Sequence, residues 1–170
     1  MKKPQGITNG RLIKLITIVF TCMGVHAITA CASIIGNPTV IDGDTIKLAH
    51  QKIRLHGIDA PETEQDCYTA KLTIPCGHLS SKALRQLING QKIICKPKGT
   101  DFFKRIIAVC TINKIDIGKQ MVKNGWAFAY LKYSKDYKLD EVHAKQNKTG
   151  LWNTKFIYPW KWRQNFRIKK

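Results

Sequence analysis

Apolar and polar positions alternate along this chain in short stretches that change period several times. Between residues 38 and 58 the run PTVIDGDTIKLAHQKIRLHGI carries β-branched and apolar side chains in short groups, interrupted at Gly43 and around His50 and Gln51. This pattern predicts two or three antiparallel strands. In HLSSKALRQLIN, residues 78–89, the period lengthens: Leu79, Leu84, Leu87 and Ile88 fall on one side, Ser80 or Ser81 stands near the start, and Gly90 follows as a stop. That predicts a helix. Two more strands are predicted in QKIICKP and KRIIAVCTIN, joined as a hairpin, and KIDIGKQMVKNGWAFA reads as a short strand leading into a helix that ends at Gly125. A further helix, polar on most of its surface, is expected near residues 139–148, with Gly150 as its stop. The order predicts an α+β fold, a small β-barrel with about three packed α-helices; a generic α+β sandwich fits the same order.

Charge changes the picture more than composition does. The 170-residue chain carries a net charge of +18. Its first thirty residues hold four Lys/Arg and no acid, so residues 31–170 hold 25 basic side chains against 11 acidic ones, a net +14. Such a field steers and retains polyanions, nucleic acid first and anionic membrane or glycan after it. The N-terminus has the form of an export signal, basic in MKKPQGITNGRLIK, apolar in LITIVFTCMGV and small-residue-rich in HAITACAS. Residues 1–30 are therefore expected as a signal peptide, residues 36–160 as one domain and residues 161–170 as a basic C-terminal tail. Three endings of the signal stay open: cleavage near Ala30 or Ala32, lipidation of Cys31 in the lipobox-like ITAC, or retention as an anchor. The expected location is periplasmic or secreted, or on the membrane as a lipoprotein through Cys31.

Four cysteines remain in the exported part. Cys95 and Cys110 flank KPKGTDFFKR symmetrically, so a hairpin turning at Phe102 and Phe103 sets them opposite one another on neighbouring strands. A disulfide there closes a loop worth roughly 3 kcal/mol in the chain-entropy treatment. Cys67 and Cys76 then pair by elimination. A zinc site using Cys67, Cys76 and His78 is the alternative, although no C-x-x-C pair accompanies it.

The candidate chemistry lies at strand ends. Asp44 in IDGDT, and Asp59 and Glu62 in GIDAPET, are the carboxylates a hard-cation site and a general base require. Pro61 fixes its own φ and biases Ala60 to extended geometry, so Asp59 and Glu62 would be presented by a rigid turn. Arg54, between Ile53 and Leu55, points to the face opposite both, and Arg105 precedes IIAVC at the start of a strand. Guanidinium groups donate parallel hydrogen bonds to phosphoryl oxygens, which is what phosphate binding needs. Taken singly these motifs have plainer readings, as capped surface turns and solvated strand residues. Two rival functions also use the charge without the chemistry: a nucleic-acid-binding module without turnover, and a basic surface protein binding anionic polymers.

The strings VIDGDTIKL, IRLHGIDAPET, DFFKRIIAVC and MVKNGWAFAY, in that order over residues 38–152, resemble the staphylococcal nuclease (thermonuclease) family. The resemblance implies a five-stranded oligonucleotide-binding (OB-fold) barrel and calcium-dependent endonuclease activity on DNA and RNA, single-stranded or frayed. It implies a monomer with no obligate protein partner. By position, Asp44 and Asp59 match the Ca²⁺ carboxylates, Ala60 a residue whose carbonyl serves the metal, Glu62 the general base, and Arg54 and Arg105 the phosphate-binding arginines. Tyr130 and Tyr133 fall near tyrosines that flank bound nucleotide. One departure stands out: relatives commonly have D-[KR]-Y-G-R where this chain has DFFKR, so Lys104 replaces a glycine. If that position needs positive φ, Lys104 costs about 1 kcal/mol or more and threatens to displace Arg105; Lys104 is also a candidate phosphate contact. The aromatics of GLWNTKFIYPWKWR are expected to pack on the barrel.

Overall fold

Ile46, Leu48, Ile53 and Leu55 set the sheet, because each is almost fully buried while the polar residues between them are not. The structure, a computed structural model, describes residues 32–168, with side chains as far as residue 165. The signal peptide read in residues 1–30, the lipobox cysteine Cys31 and the end of the basic tail lie outside the described residues. The strands are β1 (Ile34–Gly36), β2 (Thr39–Val40), β3 (Thr45–Leu48), β4 (Gln51–Leu55), β5 (Ile58–Asp59), β6 (Cys67–Tyr68), β7 (Thr73–Ile74), β8 (Ile93–Thr100), β9 (Ile106–Ile112), β10 (Ile115–Asp116) and β11 (Phe128–Ala129). The helices are α1 (Cys76–Ile88), α2 (Ile117–Lys123), α3 (Lys138–Gln146) and α4 (Pro159–Ile168), with a 3₁₀ turn over Gly150–Asn153.

The fold is α+β, as expected, with a fourth helix where a tail was read. The main sheet runs β1-β8-β9-β4-β3-β2, with β10 on β9; β4 and β9 are parallel and the other pairs antiparallel. Among the described residues the hydrogen-bonded path does not close on itself. Register does the positioning: Thr45 pairs with Arg54, Arg54 pairs with Ile107, and Arg105 lies two positions upstream of Ile107. Asp44, Arg54 and Arg105 are thereby delivered to one end of three adjacent strands.

Both expected disulfides are present. Cys95 and Cys110 are direct partners in the β8–β9 register, with Cα atoms 4.0 Å apart, and Cys67 is joined to Cys76. The second pairing consumes the thiolates that a zinc site would need. Helix α1 begins at Cys76, ahead of the serines expected near its start, because Pro75 and the disulfide fix the chain there. Ser80 and Ser81 instead lie in the buried face, where their hydroxyls donate to the Trp126 and Gly77 carbonyls. Asn89 then takes the left-handed conformation at the C-terminus, followed by Gly90.

Two apolar clusters result. The larger fills the space between the sheet, α1 and α2; the smaller gathers Trp126, Trp152, Phe156, Tyr158 and Trp160 around Phe128 and the Cys67–Cys76 bridge. Phe128 lies 4.8 Å from Phe156, and Tyr158 stacks on Trp160 at 4.5 Å, so the C-terminal aromatics are packed on the barrel. Helix α4 follows with Pro at its first position, where the missing N–H breaks no helical bond.

Close backbone approach explains one glycine in α1. A Cβ at Gly77 would run into the Glu62 carbonyl oxygen, and the Gly77 N–H donates to Gln65, so α1 is pressed against the turn that carries Glu62. Gly77→Ala is expected to destabilise the protein by about 1–3 kcal/mol, which a chain of this size shows as roughly 2–4 °C per kcal/mol. Thermal unfolding followed by circular dichroism checks this; an unchanged midpoint would mean the turn is not held there.

Candidate active site

Asp44 and Asp59 are 4% and 0% exposed, so their charges must be met inside the protein. Asp44 Oδ1 accepts from Thr45 Oγ1 at 2.9 Å and Arg54 Nη1 at 2.8 Å, and its Oδ2 accepts from the Ala60 N–H at 2.9 Å. Arg54 is aimed by strand alternation: Ile53 and Leu55 enter the core, and the guanidinium on the opposite face bridges Asp44 to Asp59, the latter at 2.6 Å. Thr45 links this pair to the second arginine, since Arg105 Nη1 donates to Thr45 Oγ1 at 3.3 Å.

The turn before Arg105 is built by an acid that the sequence reading left out. Asp101 accepts from the Phe103 and Arg105 N–H groups, each at 2.9 Å, and from Arg105 Nε at 2.8 Å. Burial works against the Asp101 carboxylate, but these hydrogen bonds and the Arg105 charge hold its pKa below the usual value. The feared strain is real, because Lys104 has φ +60°, yet Arg105 is not displaced. Lys104 itself lines a shallow depression with His50, Gln51 and Lys52, which adjoins the main groove through Lys52, Phe103 and Arg105.

A third guanidinium completes the centre, and it comes from the segment expected to be a tail. Arg163 in α4 donates to Asp59 Oδ1 at 3.1 Å and Oδ2 at 2.9 Å, and to Glu62 Oε1 at 2.6 Å. Trp160, three residues earlier on the same helical face, stacks on Tyr130 with centroids 5.6 Å apart. Tyr130 in turn meets Tyr133 edge to face at 4.9 Å. Pro at the helix start and the Trp160–Arg163 spacing were the signals in the sequence; neither says where the helix docks.

All five ionisable residues singled out from the sequence, Asp44, Arg54, Asp59, Glu62 and Arg105, therefore meet in one network with Thr45 and Arg163. Asp44, Arg54, Glu62, Arg105 and Arg163 line a groove of about 830 Å³, which Phe102, Phe103, Tyr130 and Tyr133 also border; Asp59 and Thr45 are buried and are not among its lining residues. Phe102 is 93% exposed.

The carboxylate cluster itself remains electronegative after these pairings, although Lys52 and Lys98 also line the groove. Asp42, Asp44, Asp59 and Glu62 supply four carboxylates, whereas Arg54 and Arg163 supply two cations; Arg105 has Asp101. Asp42 responds, its pKa pushed up to about 6 first by burial and then by repulsion from Asp44 and, more weakly, Glu62. Asp59 is also raised: burial is the largest influence and outweighs the Arg163 hydrogen bond, while repulsion from Asp44 adds to it and the Arg163 and Arg54 charges oppose it. For Arg54 and Arg163 burial opposes the charge, but the surrounding carboxylates outweigh it and both pKa values rise. The excess of two negative charges is what one divalent cation neutralises. The donor set suits a hard one: Asp44 and Asp59 each accept three hydrogen bonds among the described residues, of about four a carboxylate can take. No three His, Cys, Asp or Glu side chains form a metal cage by themselves among the described residues, so carbonyl and water oxygens would fill the remaining positions.

Donors remain for an anion as well. Arg54 spends three of its five N–H donors and Arg105 two on the protein. Guanidinium donors uncommitted among the described residues, beside a Glu62 carboxylate with one oxygen left over and a hard-cation donor set, define a centre for phosphoryl transfer to water, the work of a phosphodiester hydrolase.

Comparison with known proteins agrees. The profile of the family described as Staphylococcal nuclease homologue matches residues 52–154. An uncharacterized endonuclease of Haemophilus influenzae is 34% identical over 137 residues, covering 76% of this chain and 72% of that protein. An uncharacterized endonuclease of Escherichia coli is 32% identical over 142 residues, covering 78% and 87%. A rice (Oryza sativa) protein named "Probable staphylococcal-like nuclease CAN3" is 33% identical over 127 residues, covering 73% of this chain but 31% of that longer protein. The chain belongs to the staphylococcal nuclease family and is a nuclease; Arg163 lies beyond the stretch that the family profile matches.

Two substitutions probe this geometry. Lys104→Gly removes a side chain from a left-handed backbone position and is expected to stabilise the protein by about 1 kcal/mol or less, because glycine also loosens the unfolded chain; denaturant unfolding measures it, and a loss of stability would contradict the strain. Because the folded-state pKa of Asp42 is raised, its contribution is most favourable below its ordinary value and is lost as pH rises toward about 6. In chelator, Asp42→Asn is therefore expected to melt above wild type at pH 7.5, with the gap closing near pH 4. Melting curves across that range check it, and a gap that widens toward acid would contradict the repulsion.

Proposed function

We propose that the protein is an exported, calcium-dependent endonuclease that hydrolyses DNA and RNA, single-stranded or frayed, as a monomer. The observation that carries this reading is the single network from Arg105 through Thr45, Asp44, Arg54, Asp59 and Arg163 to Glu62, with donors and acceptors left over for phosphate and cation. Arg54 and Arg105 bind the nonbridging oxygens of the scissile phosphate and meet the charge that gathers there as it becomes crowded. Glu62 orients a water molecule and takes its proton as the new P–O bond forms and the bond to the departing sugar oxygen breaks. Asp44, Asp59 and the Ala60 carbonyl would hold Ca²⁺, which when bound supplies polarisation of the phosphoryl oxygen. Phe102, Phe103, Tyr130 and Tyr133 offer flat faces to unpaired bases without hydrogen-bond selection, which suits a sequence-tolerant enzyme. Two disulfides and the signal-like N-terminus support export into an oxidising compartment.

The purified protein incubated with single-stranded DNA tests this reading. Cleavage is expected with calcium and not with chelator, and Glu62→Gln is expected to lower kcat by roughly 10²–10⁴-fold. Wild type that binds DNA without cutting it in calcium would leave a binding module; undiminished turnover in Glu62→Gln would remove Glu62 as the base.

A further inference from the structure

Glu62 is the least constrained member of the centre. Its side chain is about one-third exposed, and no other side chain among the described residues is recorded in hydrogen bond or ion pair with its carboxylate. Arg163 is held on both sides. Its helix is anchored through Trp160 on Tyr130, and its guanidinium is paired in two-point fashion with Asp59, a carboxylate that cannot move because it is fully buried and also bonded to Arg54. The Nη1 atom that completes the Asp59 pairing also holds Glu62 Oε1, which ties the mobile acid to the buried one and leaves Oε2 for a water molecule.

We infer that Arg163 is the positioning residue of the general base: α4 delivers a guanidinium that fixes Glu62 on Asp59, so catalysis depends on a helix outside the stretch matched by the family profile. The inference rests on the nuclease reading above and on Glu62 acting as its base. Lysine cannot replace this arginine, because one ammonium group cannot span both oxygens of Asp59 and reach Glu62 in the same plane. A side chain acting through Glu62 also has a distinctive kinetic signature. Its removal lowers kcat while leaving substrate affinity nearly intact, and it does no further harm once Glu62 is already disabled.

Steady-state cleavage of single-stranded DNA in calcium by wild type, Arg163→Met, Arg163→Lys, Glu62→Gln and the double variant Glu62→Gln/Arg163→Met tests it, with calcium affinity of each measured by titration calorimetry. Arg163→Met is expected to lose about 10- to 100-fold in kcat with KM changed little, the scale at which a misplaced group costs rate. Arg163→Lys should recover only a small part of that loss, and the double variant should be as slow as Glu62→Gln alone. Calcium should bind Arg163→Met at least as tightly as wild type, because the cation paired with both oxygens of Asp59 is gone, and that binding also shows that the variant is folded around its site. Equal kcat in Arg163→Met would overturn the inference. So would a loss confined to KM, which would make Arg163 a phosphate contact; so would additive losses in the double variant; and so would faster cleavage with much tighter calcium binding, which would make Arg163 a plug. If wild type itself does not cleave, the nuclease reading fails and the inference with it, an outcome distinct from a normal wild type with an indifferent Arg163.

Discussion

The site depends on burying Asp59 as an ion. A carboxylate with no exposed surface costs several kcal/mol unless it is paired and hydrogen-bonded on most of its lone pairs. Here one pairing partner is near in the chain, Arg54 five residues away, and the other is far, Arg163 104 residues away. Folding β4 and β5 without docking α4 would leave Asp59 short of its two-point partner. The same docking draws on the turn that bears Glu62, since the buried Gln65 Nε2 donates to the Ile157 carbonyl at 2.6 Å and Gly77 brings α1 against the Glu62 backbone. The catalytic acids, the first helix and the C-terminus are thus closed by overlapping contacts.

The DGDT motif has the same economy of parts. Gly43 is required because Ser80 of α1 and the Ala60 Cβ occupy the space a side chain would need. Asp44 faces three donors, and Thr45 passes the network to Arg105 while pairing across the sheet with Arg54. At the far end, Asp101 forms its own turn around the left-handed Lys104, so the strain of that residue is absorbed within five residues of chain and never reaches the Arg105 guanidinium. Short-range hydrogen bonds from one carboxylate replace what a glycine does through backbone freedom.

How much of this was legible follows from the range of the forces involved. Strands β3, β4, β8 and β9 were legible because Ile46, Leu48, Ile53, Leu55, Cys95 and Cys110 alternate with exposed positions, and a period of two is a local property. Asp44, Arg54 and Arg105 were legible because they stand at or near the ends of β3, β4 and β9, where register must bring them together, and Asp59 and Glu62 because the Pro61 turn carries them just beyond β4. Helix α4 was not. Its sequence, PWKWRQNFRI, has no apolar stripe of ordinary width, and Trp160 is placed by contact with Phe128 and Tyr130 rather than by a repeating pattern. A basic residue in such a segment reads as surface charge until the fold shows two carboxylates waiting for it. Asp101 was missed for the converse reason: its partners are so close in sequence that it looks like any turn acid.

Two electrostatic scales operate in one molecule. The net +14 of residues 31–170 acts over about a Debye length, 8–10 Å at ordinary salt, and draws in a polyanion from any direction. The excess of two negative charges acts only around the carboxylate cluster, where burial limits screening. A phosphate group steered to the protein finds Lys52, Lys98 and Arg105 lining the groove and must then approach the cluster, which repels it; Arg105 has three N–H donors uncommitted among the described residues. On the proposed reading the last step is favourable only when a divalent cation has already cancelled that excess. Each ligand then lowers the electrostatic cost of the other, and reciprocity requires calcium to bind more tightly in the presence of nucleic acid by the same factor that it strengthens nucleic-acid binding. The centre is in this sense incomplete in charge: the carboxylates hold the base and the arginines in place at the expense of a negative potential that, on the proposed reading, the cation neutralises before the phosphate can approach.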